Sequence, residues 1–193
     1  QEIDDAAVLE FDFVPIGDSI KFRYVFGSEE YPSFTCSDYN DAFGFFISGP
    51  GISGPFTGGA RNIALVPGTT VPVSINTLNS GQPSIPGNEE NCAALDPNWV
   101  SNSQYFVDNG SASNTLVTYN GFTTVLTATA AVQCGQSYHI KLAIGDGFDS
   151  IYDSGVFLEG GSFVSSPFIP LLTPGPGIVG NTVYESCFPM EVN

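Results

Sequence analysis

Positive charge is scarce in this sequence. Four Lys and Arg stand against twenty Asp and Glu, for a formal net charge of −16. Nucleic-acid binding needs clustered cations to neutralise phosphate, and docking on an anionic membrane needs a basic patch. Four cations supply neither. There is one histidine, His139, so a His-rich metal site is excluded, as is most histidine catalysis. None of the four cysteines forms a Cys-x-x-Cys pair, which argues against zinc. No Gly-x-Ser-x-Gly elbow occurs. No apolar run approaches the roughly 18 residues of a membrane helix, so direct membrane insertion is not expected. Good helix formers are few, whereas Gly (22) and Pro (14) are many, so helix propensity is poor in almost every window.

What remains is a β-rich composition. Hydrophobic residues make up 42% of the 193, with 16 Phe and 8 Tyr, which separates the chain from a disordered acidic tail. A chain of this length can bury roughly 70% of its unfolded surface. Few Lys, abundant Asn, Ser, Thr and Gly, and an even cysteine count suit an extracellular protein.

Residues 7–14 alternate, with Ala7, Leu9, Phe11 and Phe13 opposed to Val8, Glu10 and Asp12. Residues 19–26 alternate again, Ile20, Phe22, Tyr24 and Phe26 against Lys21, Arg23 and Val25. Pro15 to Asp18 reads as a turn, so the two strands are expected to pair as a hairpin with Lys21 and Arg23 facing Glu10 and Asp12. Residues 42–48 do not alternate and read as a strand buried on both faces. Further strands are expected at 62–66, 71–76, 104–107, 115–119, 122–132, 137–144 and 154–164. Asn120-Gly121 is a hairpin signal between 115–119 and 122–132. Long polar loops are expected at 27–41 and 79–103, and an acidic one at 145–153. The whole reads as an all-β, antiparallel β-sandwich, jelly-roll-like, with long loops. Residues 1–166 form the module, 167–177 a Pro/Gly linker, and 178–193 a tail or the start of an adjoining module.

Three constellations could carry chemistry. Glu29, Glu30 and Asp41 lie in one loop and Asp146, Asp149 and Asp153 in another. Calcium takes six to eight oxygen ligands, and loops at one end of a sandwich can supply them. Solvated turn caps are the plainer reading of the same carboxylates. Glu29 or Glu30 with an Asp across a cleft has the residue types of a glycosidase, but the spacing that chemistry needs is not legible in a sequence. His139 with a Ser and an Asp has the residue types of a catalytic triad, but it is expected on the outer face of its strand beside Lys141, as an exposed or hydrogen-bonded histidine. Trp99 is the one indole available for stacking on a sugar. Cys36 and Cys92, both in long polar loops, are expected to form a disulfide, and Cys134 could be a buried free thiol.

The blocks Tyr24-Val25-Phe26-Gly27-Ser28-Glu29-Glu30-Tyr31 and Asn40-Asp41-Ala42-Phe43-Gly44-Phe45-Phe46-Ile47-Ser48-Gly49 resemble the choice-of-anchor L domain. So do Asn62 to Thr69, Pro72 to Asn76, Gly121 to Leu126, Tyr138 to Ile144 and Asp149 to Leu158, in order over residues 5–165. The resemblance implies a non-catalytic, extracellular module of a large bacterial cell-surface adhesin of the Bacteroidetes type, gliding-motility adhesins and type IX secretion substrates included. It implies neighbouring modules of the same polypeptide as partners, immunoglobulin-like ones among them, and surface glycans or other adhesin or secretion components beyond these. Because its acidic blocks coincide with the two acidic loops, it favours calcium on Glu29, Glu30, Asp41, Asp146, Asp149 and Asp153. It also implies further family sequence before Gln1, and O-glycosylation at Ser19 or Ser150, each in an Asp-Ser-Ile triplet. Other readings stay open: a lectin-like carbohydrate-binding module using Trp99, or a self-assembling surface-fibre subunit.

Overall fold

A computed structural model describes residues 3–110, 117–147 and 151–166. Two antiparallel sheets pack face to face. The first has the order β1-β8-β3-β4, from β1 (Ile3–Phe13), β8 (Tyr138–Gly147), β3 (Ala42–Ser48) and β4 (Arg61–Asn62). In the second, β2 (Ser19–Ser28) is the spine. One of its edges pairs with β6 (Gly121–Thr123) and β7 (Leu126–Ala131), the other with β9 (Ser154–Leu158) and β10 (Val164–Ser166). β5 (Phe106–Asp108) extends the sheet beyond β6.

The alternation of β2 has its expected consequence. Ile20, Phe22, Tyr24 and Phe26 are buried and meet Phe43, Phe45 and Ile47 of β3. The rings of Tyr24 and Phe45 lie 4.8 Å apart, those of Phe26 and Phe43 4.9 Å. Each such side chain contributes roughly 1.5–3 kcal/mol on burial. Small residues, Ala128 and Ala130 of β7, leave room for this aromatic layer. β3 lacks alternation because its outer face is also covered. Phe46 lies across Gly44, where an added Cβ would sit 2.3 Å from the ring, and Phe56 packs on Phe46 at 4.7 Å.

The hairpin expected between the first two strands does not form. β1 pairs with β8, so Glu10 lies opposite Lys141 and Asp12 opposite His139, not opposite Lys21 and Arg23. Proximity in sequence suggested the hairpin, but Pro15 to Asp18 carries the chain from one sheet to the other. That crossing is held by Gly135 N–H donating to Pro15 O and by Gly17 N–H donating to Ser165 Oγ. Arg23 instead pairs with Glu159 at 2.8 Å.

Several strand readings are corrected in detail. Residues 62–66 and 71–76 are mostly irregular, joined to each other by an isolated bridge from Leu65 to Pro72, with a second from Ser74 to Ala42 of β3. Asn120-Gly121 is not a hairpin turn. Gly121 opens β6 opposite Asp108 and Ser28, and a Cβ there would strike Phe106 and Tyr31. The glycine marks close packing rather than a turn. Residues 115 and 116 of the expected strand 115–119 lie outside the described residues, as do the linker and tail readings for 167–193.

The polar segment 79–103 is more ordered than its composition suggested. It holds α1 (Glu89–Leu95), capped by Asn88, whose Oδ1 accepts Asn91 N–H at 3.1 Å, and a 310 helix at Trp99–Tyr105. Both fold over the Cys36–Cys92 disulfide, on which Trp99 packs, 2% exposed. Asn76 bonds Cys36 N–H through Oδ1 at 2.7 Å and Ser37 O through Nδ2 at 2.8 Å. Cys134 is not a free thiol but disulfide-bonded.

Candidate functional site

The strand ends bring the sequence-predicted acidic residues to one end of the sandwich. Glu29 and Glu30 follow β2, Asp41 precedes β3, and Asp153 precedes β9. Asp146 belongs to β8 itself, because that strand continues to Gly147 instead of breaking at Gly145. Asp149 lies outside the described residues. Register knits the end together, since Ser28 pairs with Ser154, and Ala42 with Gly145.

Three of these carboxylates are buried. Glu30 and Asp41 are each 1% exposed and Asp146 is 5% exposed. Asp41 accepts Gly147 N–H at Oδ1, 3.0 Å, and the Ser154 hydroxyl at Oδ2, 2.7 Å. It thereby ties β3 to β8 and β9. Glu29 N–H donates to Asp153 O at 3.0 Å, and Asn120 Nδ2 donates to Glu29 O at 2.6 Å. The field of the cluster is visible in its tyrosines. The Tyr119 phenol is raised above its ordinary pKa, first by partial burial and then by Asp153, Glu29 and Asp146. Burial raises Tyr31 strongly, and Asp41 adds to it. The Tyr119 ring lies over the Gly27–Gly155 pair, where a Cβ at Gly155 would sit 2.2 Å from its hydroxyl.

Sequence reasoning missed Ser154, Gly147, Asn120 and Tyr119 as members of this end. The signal was present in the two glycines that leave space for a ring, but nothing in the sequence says which ring fills it. The end is also remote from every Lys and Arg. Arg23 lies five residues before Ser28 on β2 and Lys21 lies seven; Lys141 lies five before Asp146 on β8. Arg61 pairs with Ile47, six residues from Asp41. Five strand residues span roughly 16 Å, beyond the screening length of about 8 Å at physiological ionic strength. The donor set is all hard oxygen, the chemistry calcium prefers. Among the described residues, however, no group of three or more such side chains converges closely enough to hold a metal ion.

The other candidates are placed differently. Trp99 is buried against the disulfide and presents no face to a sugar. Ser19 opens β2, half-buried between Ala131 and Ser166 of the flanking strands; Ser150 lies outside the described residues. His139 stands on the outer face between Asp12 and Ser48 on neighbouring strands. Its Nδ1 is 2.8 Å from Asp12 Oδ1, but its Nε2 faces Glu10 at 3.9 Å. This is a cross-strand charge ladder with the residue types of a triad and a different geometry.

No helix among the described residues is long and apolar enough to cross a membrane. No curated protein and no solved structure was found to match the chain. The profile of the choice-of-anchor L domain matches residues 1–164, which takes in every strand described above up to the start of β10. The chain therefore belongs to the choice-of-anchor L domain family, and is a surface-associated module of a cell-surface or extracellular protein.

Proposed function

We propose that the chain is a non-catalytic adhesion module of a large bacterial surface protein, with calcium stabilising its acidic end. Gliding-type adhesins are the carriers this reading favours, and neighbouring modules of the same polypeptide are its first partners. The observation that carries the calcium reading is the burial of Glu30, Asp41 and Asp146 at one end, far from every Lys and Arg. Ionised carboxylates lose several kcal/mol of hydration on burial, and neighbouring ones repel. At Asp41 the Gly147 N–H and the Ser154 hydroxyl offset the lost hydration. A divalent cation held at this end would screen the mutual repulsion of the carboxylates that cluster there.

The test is a thermal melt in EDTA, then with calcium added, with magnesium as control. At a hundredfold excess over Kd, a ligand of the folded state adds about 2.7 kcal/mol, or roughly 5–10 °C in Tm for a domain of this size. Asp41→Asn is expected to remove most of that rise. No rise with calcium would overturn the calcium reading and leave the surface module standing. The adhesion reading is tested separately, by coating beads with the chain and measuring their retention on bacterial surfaces. Retention no better than with an unrelated acidic protein would sink it.

A further inference from the structure

β1 has an unusual environment. It is the edge of its sheet, paired with β8 on one side only among the described residues. Phe13 packs on the core, but the core-facing side chains before it are only partly covered. Leu9 is 53% exposed and Phe11 37%, while outward Val8 is 52% exposed. The opposite wall is β9, the edge of the other sheet, where Phe157 and Leu158 are also exposed. Between the two edges runs an apolar groove of about 240 Å³. Ala7 and Leu9 line one side, Val156 and Leu158 the other, and Leu142 and Ile144 the floor. At its far end Phe163 closes the seam, with its ring 5.5 Å from Phe11 and 5.2 Å from Phe13. The sandwich is therefore sealed at one end of this seam and open along the other.

We propose that this seam is a docking site for one extended strand of another polypeptide, alternating apolar and basic residues, which adds to the free edge of β1. An open edge presents unpaired N–H and C=O groups, and strand addition satisfies them while pockets take alternate side chains. The apolar set of the incoming strand would face Ala7, Leu9 and Phe11 and fill the groove. Its other set would face Val8, Glu10 and Asp12 on the outer surface, and charge decides what that set is. Glu10 and Asp12 face Lys141 and His139 of β8 on their inner flank, and no described strand pairs with β1 on the other. An incoming Lys or Arg opposite each would continue the ladder, and like charges there would be destabilising. A second copy offers the wrong chemistry, because its own β1 carries Glu10 and Asp12 and the chain has a net charge of −16.

The experiment uses the full chain and a capped nine-residue peptide alternating valine and lysine, against its valine–glutamate counterpart, with binding read by fluorescence anisotropy. The lysine peptide is expected to bind at least tenfold more tightly, and Leu9→Glu to weaken it at least tenfold. Leu9 is more than half exposed, so its replacement should leave the melting curve nearly unchanged. Val125→Glu, at a site of similar exposure on the loop before β7, should leave binding unchanged. A photo-crosslinking phenylalanine at position 9 then identifies the occupant. Capture of the lysine peptide supports the proposal. Capture of a second copy or of residues 167–193 of the same chain would overturn it. So would equal binding of both peptides, or binding unaffected by Leu9→Glu.

Discussion

Single polar side chains hold irregular backbone in this fold where sheet pairing does not reach. Asn62 is the clearest case. It is 9% exposed, and its Oδ1 accepts Phe45 N–H at 3.0 Å and Ala64 N–H at 2.9 Å. The first donor belongs to a core strand and the second to the irregular stretch beyond β4. Asn62→Ala would leave both buried donors without that acceptor, each costing about 1–3 kcal/mol. A total loss of roughly 2–6 kcal/mol is expected in urea unfolding, with the m value unchanged. Asn62→Asp, which keeps the acceptor, should lose less. A loss below about 0.5 kcal/mol for the alanine variant would mean that the backbone finds other acceptors. At this scale the sequence was silent. Asn62 read as one residue of a regular strand, and only the three-dimensional meeting of Phe45 with Ala64 makes it a hub.

Elements were legible to different degrees, for physical reasons. β2 could be read because one of its faces is core and the other is not, so its alternation has a cause. β1 alternates equally well, yet both its faces are exposed and its partner lies more than 120 residues away. No local pattern encodes that pairing. The acidic blocks were visible as composition, but their convergence depends on β8 running through Gly145 to Gly147, where glycines usually suggest a turn. The Cys36–Cys92 pairing was legible, whereas α1 between the long loop's ends was not, because its seven residues carry little periodic signal. That disulfide closes a separation of 56 residues and anchors α1 and Trp99. In the chain-entropy account it contributes about 4 kcal/mol. Reduction, or a Cys36→Ala/Cys92→Ala double variant, is expected to destabilise by that order and to expose Trp99 first. A red shift of tryptophan emission at denaturant concentrations that leave the far-ultraviolet circular dichroism intact would show it. Superimposable transitions would mean the segment unfolds only with the sandwich.

On the scale of the whole molecule, the aromatic core sets a limit on the alkaline side. Tyr24 and Tyr31 lie in the layer between the sheets, and burial raises both phenols well above their ordinary range, with Asp41 adding to Tyr31. A raised phenol keeps its proton in the folded state at a pH where the unfolded chain has released it. Below about pH 10 both states are protonated and this contribution to stability is complete. As pH rises beyond that, the unfolded state binds fewer protons and stability falls, by about 1.4 kcal/mol per pH unit for each such tyrosine. Two of them acting together would remove about 2.8 kcal/mol per unit, so a folding free energy at the lower end of the typical 5–15 kcal/mol range is lost within roughly two units. The net charge of −16 acts in the same direction, because each tyrosinate adds to self-repulsion. The expected result is a stability plateau up to about pH 10, followed by cooperative unfolding in which tyrosinate absorbance rises together with the loss of β structure. Tyr24→Phe should shift that transition to higher pH, since it removes one of the protons the fold retains. If all eight tyrosines titrate while the circular dichroism is unchanged, the two phenols are not held between the sheets.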